Sequence, residues 1–193
     1  MKAAVLLVVF SFMLASRGYA EPLDRSGGYV GAEMPFAANS DITIGGFSID
    51  PSHEIGYALE GGYQFEMSNE FVLGVGLAMQ NFGTMKYSDV STTKTNAVMF
   101  MVRPKYYLES TNFFIAGVFG YGWSDIDVRN HYNQLHVKDD GSASTYGIEF
   151  GADFEQLEVS AGYRDMRATI GVGYQDVNVD TSGPYVGIRY VFN

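Results

Sequence analysis

Large apolar residues alternate with small or polar ones through much of the chain. Over 55–65, Ile55, Tyr57, Leu59, Tyr63 and Phe65 take odd positions, while Gly56, Ala58, Glu60, Gly62 and Gln64 take even ones. Over 71–79 the odd set is Phe71, Leu73, Val75, Leu77 and Met79, set against Val72, Gly74, Gly76 and Ala78. The stretches 146–154 and 186–192 divide in the same way. A period of two places the two sets on opposite faces of an extended chain, and no segment sustains the 3.6-residue period of an amphipathic helix. The pattern predicts eight strands, at 27–35, 53–66, 70–82, 95–108, 112–126, 143–155, 157–169 and 181–193. The connections alternate in length. Short turns fall at 67–69, at 109–111 and near Gln156; long loops fall at 36–52, 83–94, 127–142 and 170–180. Such alternation describes an all-β, eight-stranded antiparallel up-and-down barrel with every long loop at one end. That is the plan of a transmembrane β-barrel.

Energetics decide which face is inside. Continuing each alternation puts Glu33, Glu60, Gln64, Arg103, Lys105, Glu149, Asp153, Glu158, Arg164 and Arg189 on the minor face, five carboxylates and four bases. The opposite face carries Tyr57, Tyr63, Phe65, Phe71, Phe100, Phe119, Tyr121, Trp123, Phe150, Phe154, Tyr163, Tyr190 and Phe192. An eight-stranded barrel has an interior just wide enough for side chains to fill, so the bulky face is expected to point outward into lipid. Turning the faces over would put bases on the lipid side, at about 2–4 kcal/mol each near the midplane. Inside, the acids and bases are expected to form a paired network that closes the lumen. A soluble periplasmic ligand-binding barrel with an apolar lumen has the same alternation and is the alternative that this argument disfavours. Aromatics also gather near predicted strand ends, as two interfacial girdles would require. Phe65, Phe71, Tyr106, Phe113 and Phe154 lie by the short turns, and Phe82, Trp123 and Tyr185 by the long loops.

Composition narrows the class. The chain has 193 residues, enough for one domain, with 14 Tyr, 14 Phe, 23 Gly and only 5 Pro, a mix that favours strands. The absence of cysteine excludes disulfides and thiolate catalysis, and a net charge of −10 argues against nucleic acid as a partner. Residues 1–20 read as a signal peptide: Lys2 supplies the positive start, 3–15 are apolar, and Gly18 and Ala20 frame a small-residue cleavage site. The apolar run is too short to span a bilayer. The exported domain is therefore expected at 21–193, beginning with Glu21.

The stretch Phe114-Ile115-Ala116-Gly117-Val118-Phe119-Gly120-Tyr121-Gly122 and the ending Gly187-Ile188-Arg189-Tyr190-Val191-Phe192-Asn193 resemble the small eight-stranded outer-membrane β-barrel family, the OmpA/OmpX-like group. The resemblance lies in pattern more than in identities and covers the whole chain after residue 20. It implies the outer membrane of a Gram-negative bacterium, a monomer surrounded by outer-membrane lipid, and insertion by the barrel-assembly machinery. Barrels of this group usually end on an aromatic residue; here Phe192 is penultimate and Asn193 last. The group includes adhesins, serum-resistance proteins and structural barrels, so membership names no activity.

No catalytic constellation stands out. Ser124 near His131 and Ser52 beside His53 are the pairs a lipid A-modifying enzyme could use, and neither lies in a hydrolase motif. Glu60 and Glu149 could form a glycosidase pair, but four lumen bases make ion pairing the simpler reading. His131 and His136, five apart and near Asp125, Asp127, Asp139 and Asp140, read as a solvated polar loop rather than a metal site. The chain is accordingly read as non-enzymatic, without cofactor or metal. Its expected role is structural or surface-interacting, carried by the outer loops. The foremost candidate contacts for a host or surface ligand are Arg129, His131, Tyr132, His136 and Lys138.

Overall fold

The computed structural model describes residues 25–36, 39–44, 47–49, 52–53, 55–87, 91–109, 111–130, 135–172 and 175–192. The signal segment 1–20 and Glu21 lie outside them. Among the described residues the regular structure is entirely strand: β1 (Gly27–Pro35), β2 (Asn39–Ile44), β3 (Phe47–Ile49), β4 (Ser52–His53), β5 (Tyr57–Ser68), β6 (Phe71–Tyr87), β7 (Ser91–Tyr107), β8 (Phe113–Asn130), β9 (Leu135–Phe154), β10 (Leu157–Val172) and β11 (Gln175–Phe192). Eight of these, β1 and β5 to β11, pair antiparallel with their neighbours, and β1 pairs with β11 to close the ring. Closure leaves no open sheet edge within the ring, which is what a strand protein in lipid requires.

The strands are tilted, and the pairing register records it. Starting from Glu33, paired residues run Ala58, Gln80, Ala97, Ser124, Gly141, Ile170 and Val177, and the row meets the start of the chain again at Ile44. Each circuit therefore climbs toward the outer end, the stagger that barrel closure imposes. The predicted outward face is the observed one. Trp123 is 77% exposed, Tyr121 67% and Phe100 53%, and the outward set carries no charge at mid-barrel.

Two sequence expectations need correction. The first is strand length. The predicted loops 83–94, 127–142 and 170–180 are mostly strand: β6 runs to Tyr87, β7 starts at Ser91, β8 runs to Asn130, β9 starts at Leu135, β10 runs to Val172 and β11 starts at Gln175. The predicted loop 36–52 also contains structure, because β2 pairs with β11 at 177–182, β3 pairs with β2, and β4 pairs with the top of β6. Apolar alternation stops where lipid stops, but backbone pairing does not, and segments such as Ser91-Thr92-Thr93-Lys94-Thr95 keep strand propensity in water. The second correction concerns aromatics. Phe82 and Tyr185, assigned to the outer girdle, point into the lumen at 1% and 3% exposure. Both keep the inward phase of their strands, Phe82 with Ala78 and Gln80, and Tyr185 with Gly187 and Arg189; a register shift between Asn81 and Thr84, with Gly83 at φ 85°, changes the phase only after Phe82.

The lumen also holds more bulk than expected, because glycines make room for it. Tyr29, Tyr107 and Phe114 are buried inside. A Cβ on Gly76 would come 2.7 Å from the Tyr29 hydroxyl, one on Gly151 would come 2.3 Å from the Phe114 ring, and one on Gly162 would come 2.8 Å from the Tyr185 ring.

Candidate functional site

The inward face divides into layers. At mid-barrel, six strands contribute charged side chains: Glu33 from β1, Glu60 from β5, Arg103 and Lys105 from β7, Glu149 and Asp153 from β9, Glu158 and Arg164 from β10, and Arg189 from β11. The β6 and β8 strands face them with small residues, including Gly74, Gly76, Ala116 and Gly120. Arg189 is the hub. Its guanidinium donates to Glu33 at 2.7 Å and to Glu149 at 2.9 and 3.1 Å, and also reaches Glu60 and Glu158. Arg103 donates to Glu33 at 2.9 Å and to Glu60 at 3.0 and 3.2 Å, and lies 3.5 Å from Glu149. Arg164 lies 2.6 Å from Glu33. Lys105 pairs with Glu158 and donates to Gln64 at 3.0 Å, and the Tyr185 hydroxyl donates to Glu149 at 2.8 Å. All nine residues assigned to this network from the sequence thus line one interior. Gly31 is part of it too, because a Cβ there would come 2.7 Å from the Arg189 Cγ.

Sequence reasoning missed one member. Arg25, just ahead of β1, lies 3.7 Å from Asp153 and stacks 3.8 Å from the centre of the Tyr107 ring. Tyr107 in turn donates to Asp153 at 2.7 Å. Arg25 is pinned at the inner rim, where its backbone N–H donates to Glu66 and its Nη1 donates to the Asn69 carbonyl, both at 2.8 Å. It supplies a fifth base for five acids. The unmatched carboxylate in the sequence count was the available signal.

Above the ionic layer the lumen is uncharged and largely apolar, with Gln80, Thr93, Thr95, Ser124, Thr145 and Thr181 among its buried polar residues. Phe82, Met85, Met99, Met101, Val118, Ile126, Met166, Ala168, Ile170 and Val179 form one buried cluster. A second buried apolar cluster, Val72, Tyr107, Phe114 and Ala116, lies below the ionic layer at the inner end.

Outside the ring, rows of paired residues mark the membrane boundary. The outward row Leu59, Met79, Val98 and Trp123 is apolar up to its β9 member, Ser142, and the next row up is Tyr57, Asn81, Asn96, Asp125 and Asp140. In that polar row Asn81 donates to Asn96 at 2.7 Å and Asn96 donates to Asp125 at 3.1 Å. One step higher, Asp127 lies between Arg129 at 3.1 Å and Lys138 at 3.6 Å. Arg129 is therefore on β8, and Lys138 and His136 are on β9, not on a loop as expected. His131 and Tyr132 lie outside the described residues. Across the ring, Asp41, Asp165, Arg167 and Asp180 line a groove of about 320 Å³, with Arg167 bonded to Asp180 at 2.5 Å. Among the described residues no group of three or more His, Cys, Asp or Glu is arranged to hold a metal ion.

An outward apolar belt, a closed ring of eight strands and a lumen filled with paired charges define a transmembrane barrel of the outer-membrane type. The chain belongs to the outer membrane protein beta-barrel domain family, whose model matches residues 3–192. Two solved structures are similar in fold. Neisserial surface protein A matches at 15% identity with a TM-score of 0.59, over 86% of this chain and 98% of that one. Ail, the attachment invasion locus protein of Yersinia pestis, matches at 15% identity with a TM-score of 0.50, over 86% of this chain and 99% of that one. No curated protein sequence matches the chain.

Proposed function

We propose that this protein is a monomeric, non-enzymatic barrel of a Gram-negative outer membrane, exported by a signal peptide that is removed before Glu21. Its lumen is closed, and its role is structural or surface-interacting. The observation that carries this reading is the division of labour in the sheet. The interior is consumed by ion pairs and methionine packing, while the same strands continue past the lipid boundary as a polar palisade. Rigid strands that display varied polar side chains are a good scaffold for contact with a surface ligand. Among the described residues, the Asp127, Arg129 and Lys138 cluster and the groove at Asp41, Asp165 and Asp180 are two faces available for it. Ail has been solved with the heparin analogue sucrose octasulfate. This chain's outer rows, with Asp125, Asp127 and Asp140 beside Arg129 and Lys138, favour a ligand of mixed or positive charge over a polyanion. An enzymatic role finds no support at Ser124, which is buried and donates to the Ser142 carbonyl at 3.2 Å.

The test is to shorten the β8–β9 hairpin in register. Ile126 pairs with Asp139, so 127–138 is replaced by an Asn-Gly turn, which suits a two-residue hairpin. The shortened protein is expected to keep the heat-modifiable gel mobility of a folded barrel and to lose binding to cells or extracellular matrix. Full binding by the folded, shortened protein would remove this hairpin from the contact surface.

A further inference from the structure

A cavity of about 10 Å³ lies in the wall of the lumen where the ionic layer meets the apolar one. Its lining includes Glu33, Ala58, Gln80, Arg164, Thr181 and Tyr185. The wall is irregular here for a local reason. The β1–β11 ladder stops at Pro35 and Tyr185, and β11 takes up β2 instead at Ser182 and Asn39. Among the described residues, the bond from the Phe36 N–H to the Pro184 carbonyl, 2.9 Å, bridges the junction.

Three buried polar atoms on lining residues have no protein hydrogen-bond partner: Gln80 Oε1, an acceptor, and Arg164 Nε and Nη2, donors, of which Nη2 is in ion-pair contact with Glu33. Both residues are at least nine-tenths buried, at 3% and 5% exposure. Arg164 cannot turn away, because its guanidinium lies 2.6 Å from Glu33 and 4.3 Å from the centre of the Tyr185 ring. Thr181 is engaged with Ser40 at 3.1 Å. An orphaned donor and an orphaned acceptor in a low-dielectric interior are each costly. A space of this size, with polar partners of both kinds, matches what one ordered water needs.

We propose that the cavity is a binding site for a single structural water, which accepts from Arg164 Nε–H and donates to Gln80 Oε1. The carboxylate of Glu33 beside it argues against an anion, and the size excludes any larger ligand. The water ends the ionic layer on its outer side, so that neither Gln80 nor Arg164 is left unpaired against the methionines above.

The test combines NMR of the folded barrel in detergent micelles with one filling variant and one deletion variant. Nuclear Overhauser transfer from a long-lived water to Arg164 Nε–H is expected in the wild type. Ala58→Val, which adds methyl groups to the cavity lining, is expected to abolish that transfer and to lower the urea midpoint. A dry void behaves oppositely, because filling it raises the midpoint. No transfer in the wild type, or an unchanged or raised midpoint in Ala58→Val, overturns the proposal. If Ala58→Val does not fold, Gln80→Leu decides: loss of the transfer supports the bridging water, and transfer equal to wild type contradicts it.

Discussion

The two layers of the lumen are built on opposite principles. The lower layer is five acids and five bases, Arg25 included, each held by partners on other strands. The upper layer is thirteen buried residues without a charge, four of them methionines. An ionic layer away from water is demanding: removing one partner strands the rest, and desolvation is not recovered without close pairing. Methionine packing is forgiving, because an unbranched, polarizable side chain adapts to irregular space. One barrel thus places its strictest and its most tolerant packing a few residues apart on the same strands. Arg103 and Met101, both on β7 and both facing in, show the contrast within a single turn of the pleat.

This contrast can be broken first at its hub. Arg189→Met leaves Glu33, Glu60, Glu149 and Glu158 without their shared guanidinium, and is expected to cost at least about 3–5 kcal/mol. Urea unfolding in lipid vesicles, read by the fluorescence of the lone Trp123, measures it. Next comes crowding of the same hub. Gly31→Val drives a side chain against Arg189 Cγ at 2.7 Å and the Ile188 carbonyl at 3.0 Å, and an overpacking cost of about 1–3 kcal/mol is expected. In the upper layer Met99→Leu keeps volume and polarity, so the same unfolding assay should register less than about 1.5 kcal/mol. A loss as large as that at Arg189 would mean that the layers do not differ in kind.

The smallest effect lies outside both layers and has the opposite sign. Glu155, in the turn between β9 and β10, has φ 58°. Glu155→Gly relieves a left-handed non-glycine residue and is expected to stabilise the barrel by up to about 1 kcal/mol. An unchanged or lower urea midpoint would show that the turn is not strained at this position.

The lower layer was far more legible in the sequence than the upper one. Charges on an otherwise small-residue face have a single inexpensive explanation in a membrane, so Glu33, Glu60, Arg103, Lys105, Glu149, Asp153, Glu158, Arg164 and Arg189 could be collected from alternation alone. Arg25 escaped because it precedes the first strand and belongs to no alternation. Phe82 shares the inward phase of Ala78 and Gln80, and was misplaced because its nearness to the strand end was weighed above the alternation. Tyr185 shares the inward phase of Gly187 and Arg189 and was misplaced for the same reason, and Gly162 makes the space for its ring. The outer ends of the strands were misjudged for a different reason. The period measures what a strand faces, and above the bilayer the outward positions of the β8–β9 hairpin turn polar, at Asp125, Asp127, Arg129 and Lys138, while the hydrogen-bonded ladder runs on to Asn130 and Leu135.

The central claim is that the two layers together seal the barrel, and conductance tests it most directly. Purified wild-type protein is inserted into planar lipid bilayers, with insertion verified by heat-modifiable mobility of the same preparation. No steady ion current is expected, because the network around Arg189 and the methionine layer above it leave no continuous aqueous path. Large, long-lived, porin-like currents from the wild-type protein would contradict it.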